Sequence, residues 1–302
     1  MFSSPTDSSQ IERFVTYLRA ERHYSEQTIE VYAPVLNGFA DFVSGADWTE
    51  VRSEDVREWV AVQMEKGMSP ATVNKNLSAV RSFFRFLLMS GVVKSDPTRL
   101  VRGPKKEKNL PYFVREKEMD NLFDRVEFPD DFTGKRDRLI LLIFYSTGIR
   151  LSELVGLDVA SIDFYTSTIK VLGKRNKERI IPFGTELKEA FEEYLPLRAQ
   201  QPHADETPAL FLGEKVPRIT KLKVGQIVNL CLSQVTTQKK RSPHVLRHSF
   251  ATAMLNNGAE IEVVKQLLGH ESIATTEIYT HTTFEELKKA YMKAHPRAEE
   301  EE

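Results

Sequence analysis

A single cysteine, Cys231, stands in the whole chain, so no intramolecular disulfide and no cysteine-rich zinc module can form. Long apolar runs are missing too. The longest, Leu139–Tyr145, is far too short for a bilayer, which needs about 20 apolar residues. The opening MFSSPTDSSQ has neither the basic start nor the apolar stretch of a secretory signal. Nor is there an excess of positive charge: 42 Lys and Arg face 43 Asp and Glu, for a net charge of −1. These absences lead us to expect a soluble, cytoplasmic protein with no membrane partner. At first sight they also count against nucleic acid.

What is present changes that last point. The acidic run Glu299–Glu302 offsets basic clusters at Lys105-Lys106-Glu107-Lys108, Lys174–Arg179 and Lys239-Lys240-Arg241, and the distribution of charge matters more than its sum. With 302 residues, 41% hydrophobic and 28% charged, the composition is globular and the length suits about two domains.

The first part reads as helices only. Ile11, Phe14, Val15 and Leu18 give Gln10–Glu21 a helical stripe, Ser25 can cap a second helix reaching Phe42, and Ser53 begins a third that ends at Gly67. Ser69-Pro70 is a helix start, with Ser as cap and Pro in the first turn. Val73, Leu77, Val80, Phe83, Phe84 and Leu87 follow at helical spacing. Asp96-Pro97, Gly103-Pro104 and Leu110-Pro111 then flank a lysine run, which marks an interdomain linker, placed at 99–112 between a domain over 1–98 and another over 113–302.

The second part opens with helices expected near Arg115–Arg125 and over Arg136–Tyr145, broken at Thr147-Gly148 before a helix starting at Arg150. The period then switches to strands at Ser167–Leu172 and Arg179–Phe183, joined by the turn-forming GKRNKE. Helices are expected again at Glu186–Leu195, Leu222–Ser233, His244–Asn256, Ile261–Leu268, Ser272–Tyr279 and Phe284–Ala294. The fold class is mainly α with a small antiparallel β-sheet.

SPHVLRHSFAT, Ser242–Thr252, concentrates His244, Arg247 and His248 on one helix. Three readings arise: a metal site, an anion site, or a basic helix without chemistry. His244 and His248 are spaced to share a zinc ion, but Val245 stands where a hydrolytic zinc helix carries its Glu, and the permanent cation Arg247 would oppose the metal. We therefore expect no metal. An anion suits His244 and Arg247, three apart on one face. A second arginine, Arg150, follows a Gly break, with Glu153 three residues on to orient it.

The set TGIRLSEL, GKRNKER, HVLRHSFAT, LLGH and IYTH, in this order, resembles the tyrosine site-specific recombinases over essentially the whole chain, and the ending YMKAHPRA resembles the bacterial Xer type. The resemblance implies a helical core DNA-binding domain, a linker and a catalytic domain. It further implies Tyr279 as nucleophile, with Arg150, His244, Arg247 and His270 around the scissile phosphate and Lys174 from the hairpin as donor to the leaving oxygen. Tyr145, Tyr165, Tyr194 and Tyr291 compete for the nucleophile's place, and Lys177 for that of Lys174. Arg175 departs from the family, many of whose members have Gly there. In that reading the two arginines do on the nonbridging oxygens what a metal ion does elsewhere, and attack by tyrosine exchanges one phosphodiester for another without ATP, so no cofactor is expected.

Softer expectations concern DNA outside the centre: Lys75, Arg81 and Arg85 on the fourth helix as phosphate contacts, and Lys221, Lys223 and Gln226 at the start of another helix as groove contacts. The resemblance implies a cyclic tetramer, of this chain or with a paralogous recombinase, on two recombination sites. In it the last helix contacts a neighbouring protomer, and a DNA translocase is a further partner. Chromosome dimer resolution is the expected role. An integrase of a phage or conjugative element, or a DNA-binding protein without cleavage, are the alternatives.

Overall fold

The computed structural model describes residues 5–24, 26–43, 47–105, 112–173, 177–214, 216–269 and 283–298. The chain forms two compact units, 1–109 and 110–302. Among the described residues no helix is long and apolar enough to cross a membrane.

The first unit is built from α1 (Pro5–Ala20), α2 (Glu26–Phe42), α3 (Ser53–Glu65) and α4 (Pro70–Met89). Helix α4 starts as its sequence dictates: the Ser69 hydroxyl accepts from Thr72 N–H, and Pro70 fills the first turn without losing a needed donor. Its buried stripe of Val73, Leu77, Val80, Phe83, Phe84 and Leu87 meets Phe14, Phe39, Trp48 and Trp59 in one core. Trp48 lies edge-on to Phe83 with ring centroids 4.9 Å apart, and Phe39 to Trp59 at 5.0 Å. Residues up to Lys105, including the first part of the segment expected as linker, lie on this unit. Val101 is buried in its core, and the Asn74 side-chain amide donates to Pro104 O at 2.8 Å.

The second unit begins with α5 (Glu116–Asp124) and α6 (Phe132–Thr147). Helix α6 starts a turn earlier than its apolar run suggests, because Asp131 caps it by accepting from Gly134 N–H at 2.8 Å. Residues 139–147 of α6 are all buried, making it the central helix, with α8 (Thr185–Ala199) and α10 (Pro243–Asn256) packed against it. A short α7 (Leu151–Val155) leads to a three-stranded antiparallel sheet of β1 (Ile162–Asp163), β2 (Thr168–Leu172) and β3 (Glu178–Pro182). Ile169 pairs with Ile181 in its buried face and Leu172 with Glu178 at the hairpin end. β1, only two residues long, carries too little alternation to be seen in sequence. Helices α9 (Lys221–Ser233), α11 (Ile261–Leu268) and α12 (Phe284–Ala294) complete the unit.

The chain returns to its own core at the end. Tyr291, Ala294 and Ala298 are buried there, while Phe284 at the start of α12 is exposed. The His295 ring approaches Tyr145 O with Nε2 at 3.1 Å, and Arg297 forks onto Glu186.

Gly148 ends α6 in the left-handed region at φ 59°, and a Cβ there would lie 2.4 Å from Phe250 Cδ1 and 2.7 Å from Leu268 Cδ2. Both the backbone conformation and the close packing demand glycine. Gly148→Ala is expected to cost about 2–4 kcal/mol, from the left-handed penalty together with overpacking. The denaturant midpoint reads the loss directly, and an unchanged midpoint would contradict it.

Candidate phosphate-binding site

Because Gly148 turns the chain sharply, Arg150 becomes the cap residue of α7, one turn ahead of Glu153. Glu153 reaches back: Oε2 accepts from Arg150 N–H at 2.7 Å, and Oε1 accepts from Arg150 Nη1 at 2.7 Å. The carboxylate is buried, its side chain 3% exposed, whereas the Arg150 side chain is 32% exposed. Arg150 is therefore fixed at its inner end and open to a ligand.

A third arginine completes the arrangement. Arg179, in the first turn-proximal part of β3, forks onto the same carboxylate, Nη1 to Oε1 and Nη2 to Oε2, both at 2.9 Å. Two donors from each arginine thus fill the roughly four acceptor positions of Glu153. Burial pushes the Glu153 carboxyl up, but the hydrogen bonds and charge of Arg179, with those of Arg150, outweigh it and bring the pKa down to about 2.

Arg247, one turn into α10 after Pro243 and His244, is buried. Its Nη1 donates to Gly148 O at 2.6 Å and its Nη2 to Leu268 O at 2.7 Å. The LLGH motif now has a physical explanation. Helix α11 ends at Gly269 in the left-handed region, φ 63°, which leaves its last carbonyls without helical donors. Three consecutive carbonyls accept one arginine each: Leu267 O from Arg179 Nε at 2.8 Å, Leu268 O from Arg247, and Gly269 O from Arg150 Nη2 at 3.0 Å. The negative end of the helix dipole faces the same three cations.

Partial charges compensate only in part. Among the described residues, three guanidinium groups stand against one ionised carboxylate, an excess of two positive charges. Burial first, then Arg150 and Arg179, lower the Arg247 pKa to about 10, with Glu153 opposing. Arg247 remains a cation at neutral pH, in a place that calls for an anion.

His244 is exposed at the start of α10. Its Nε2 lies 3.2 Å from Nε2 of His248, the two rings edge to face at 4.6 Å. Burial, then His244 and Arg247, lower the His248 pKa and favour its neutral ring. The structure thus places Arg150, Glu153 and Arg247 in one network and sets His244 beside His248 on α10. Among the described residues no group of three or more His, Cys, Asp or Glu is placed to hold a metal.

Lys174, His270 and Tyr279 lie outside the described residues, as does the helix expected over Ser272–Tyr279. Of the competing tyrosines, Tyr145, Tyr194 and Tyr291 are fully buried, and burial raises the pKa of each phenol. Tyr165 is exposed on the β1–β2 turn, where Asp163 accepts from its N–H. Lys75 and Arg85 are exposed on α4, while Arg81 is half-buried and donates to Val101 O at 2.6 Å. Lys221 and Gln226 are exposed on α9, and Lys223 pairs with Glu214 at 2.6 Å.

Sequence reasoning does not single out Arg179, although it stands inside GKRNKER. The usable signal is strand alternation: Arg179 shares a face with the buried Ile181, so a cation is directed inward and needs a buried partner.

Comparison with known proteins now adds to this geometry. The pattern of the Phage integrase family matches residues 112–286, and that of the phage integrase N-terminal SAM-like domain matches residues 11–91. The tyrosine recombinase XerC of Thermodesulfovibrio yellowstonii is 38% identical, covering 97% of this chain and 98% of that one. XerC of Bacillus subtilis is 35% identical, covering 95% and 96%. In fold, the chain is similar to a XerH recombinase bound to its difH substrate, at TM-score 0.71 and 22% identity over 96% of this chain and 97% of that one. A lambda integrase dimer on a core site gives 0.70 at 14% identity, covering 88% and 96%. The chain belongs to the phage integrase family of tyrosine recombinases, enzymes of DNA strand exchange.

Glu153 titrates with a depressed folded-state pKa, so its stabilising contribution is present above its unfolded-state pKa and is lost as pH falls toward about 2. The shift corresponds to about 3 kcal/mol. Between pH 5 and pH 2, Glu153→Gln is expected to show a shallower fall in unfolding free energy than wild type by that order. Parallel pH profiles from denaturant titrations would rule this linkage out.

Proposed function

We propose that this chain is a cytoplasmic site-specific recombinase that cuts and rejoins duplex DNA through a 3′-phosphotyrosyl intermediate, in the service of chromosome dimer resolution. The observation that carries the chemistry is the carbonyl-anchored pair Arg150 and Arg247, in a site whose described residues leave two positive charges uncompensated. A phosphodiester brings one negative charge and its pentacoordinate transition state two, so the site matches the transition state better than the ground state.

Each residue then has a role. Tyr279 attacks phosphorus, and its hydroxyl, with a reference pKa near ~10, needs a base and nearby cations to do so. His244 takes that proton and returns it on rejoining. Arg150 and Arg247 hold the nonbridging oxygens in forked geometry, and His270 hydrogen-bonds one of them. Lys174 protonates the departing 5′ oxygen. The bond to tyrosine preserves the energy of the phosphodiester, and a 5′ hydroxyl from a second duplex can displace it.

The partners in this reading are a duplex recombination site and a cyclic tetramer, formed with itself or a paralogous recombinase. Helix α12 buries Tyr291 and Ala294 in its own unit and offers its exposed start at Phe284 to a neighbouring protomer, and a DNA translocase is a further partner. The XerH and lambda integrase relatives in fold are DNA complexes, which supports the DNA partner. The XerC relatives cover 95% and 97% of this chain, which favours the chromosomal role over a mobile-element integrase.

The test uses nicked suicide DNA carrying a candidate recombination site, with EDTA present, and compares wild type with Tyr279→Phe. Wild type is expected to form a covalent protein–DNA band that Tyr279→Phe lacks, and Arg247→Ala to form it about 10²–10³-fold more slowly. A band that persists in Tyr279→Phe assigns the nucleophile to another residue. Binding without any covalent product, even with a paralogous partner, favours a DNA-binding protein.

A further inference from the structure

Arg179 has no place in the chemistry just proposed, yet it is tied directly to the carboxylate that holds Arg150. Its guanidinium makes three directed hydrogen bonds, two to the Glu153 carboxylate and one to Leu267 O. Its side chain is 14% exposed, against 3% for Glu153 and 32% for Arg150. The network therefore runs from a partly buried cation, through a buried carboxylate, to a cation open to ligand. It is also packed closely: a Cβ on Gly269 would lie 3.2 Å from Arg179 Cδ and Nη1.

We infer that Arg179 is a positioning residue for Arg150, acting through Glu153; this rests on the role proposed above for Arg150. Two physical effects support it. The first is geometric. With Arg179 in place, each Glu153 oxygen accepts once from Arg150 and once from Arg179, so the carboxylate plane is held from both sides. Without Arg179 the carboxylate can rotate about its own bond, and Arg150, anchored otherwise only at Gly269 O, turns with it.

The second effect is electrostatic. Glu153 and Arg150 alone form a neutral pair, with little attraction left for a phosphate. A second guanidinium on the same carboxylate restores one net positive charge at the open end. Lysine cannot substitute, because a single ammonium does not span two carboxylate oxygens and a carbonyl on the opposite side.

Arg179 is also tied to its surroundings by position. It lies two residues past Lys177, whose carbonyl accepts from Gly173 N–H at 2.7 Å at the end of the β2–β3 ladder. A Cβ on Gly173 would sit 3.8 Å from both Arg179 Nη1 and Glu153 Oε1. The hairpin base and the Arg150 anchor therefore share one side chain.

The experiment measures covalent-complex formation by the full-length chain on suicide DNA for wild type, Arg179→Lys, Arg179→Met, Glu153→Gln and the double variant of the last two. Each is run on a normal scissile phosphate and on a methylphosphonate, whose missing nonbridging charge removes the need for Arg150. Temperatures are kept well below each variant's own melting point. On phosphate, Arg179→Met is expected to slow the reaction on the order of 10²-fold, with DNA affinity within about threefold of wild type. Arg179→Lys, which keeps the charge and the fold, falls between. On methylphosphonate the wild-type-to-variant ratio should shrink to about threefold or less. Glu153→Gln combined with Arg179→Met should be no slower than the slower single variant, because both remove one path.

Equal ratios on the two substrates, additive losses in the double variant, or wild-type rates in both Arg179 variants would overturn the positioning role. A wild type that binds but forms no covalent complex sinks instead the chemistry on which it rests.

Discussion

Three arginines can converge on one partly buried site only if their charge is met on the protein side, and that requirement organises the second unit. The compensation comes from one carboxylate and from the end of one helix. Glu153 is stripped of its usual titration by Arg179 and Arg150, and the last carbonyls of α11 each accept from a different guanidinium. Around this point the elements fall into place: α6 must stop at Gly148 so that its carbonyl can serve Arg247, and α11 must stop at Gly269 so that three carbonyls are released. Remove the compensation, and burying these cations would cost several kcal/mol each.

The first unit depends on nothing so polar. Its four helices are held by an aromatic core in which Phe14, Phe39, Trp48, Trp59, Phe83 and Phe84 meet mostly edge-on, a geometry that ring quadrupoles favour. The division of labour is chemical. One unit offers basic side chains on a rigid hydrophobic scaffold, and the other concentrates cations around a reactive centre.

Much of this was legible in the sequence because the signals are local. The bounds of α11 and α12 agree with expectation at both ends, since Gly269 and Thr283 are explicit stop and start residues. The start of α6 was less visible, because its cap Asp131 precedes the apolar run by two turns, and sequence reading attends to the run. Of the site, Arg150 with Glu153, and Arg247, stand out through spacing and motif. Arg179 does not, because its partners are 26 and 88 residues away. Strand alternation turns Arg179 inward beside Ile181, but the partners it meets there are brought by the fold. Lys174, His270 and Tyr279 rest on the motifs alone, outside the described residues.

The carbonyl anchors on Arg150, Arg179 and Arg247 also bear on when disorder is lost. A long arginine side chain gives up about 2 kcal/mol of rotamer freedom when it is immobilised. Here that loss accompanies folding, before any ligand arrives, since all three side chains already have hydrogen-bonded seats in the free protein. A DNA backbone offers the same anion at every step, and loose cations would greet each one alike. In the proposed reaction, seated ones would discriminate by position: a phosphate slightly out of place would meet the charge but not the donors, and stay bound without being cut.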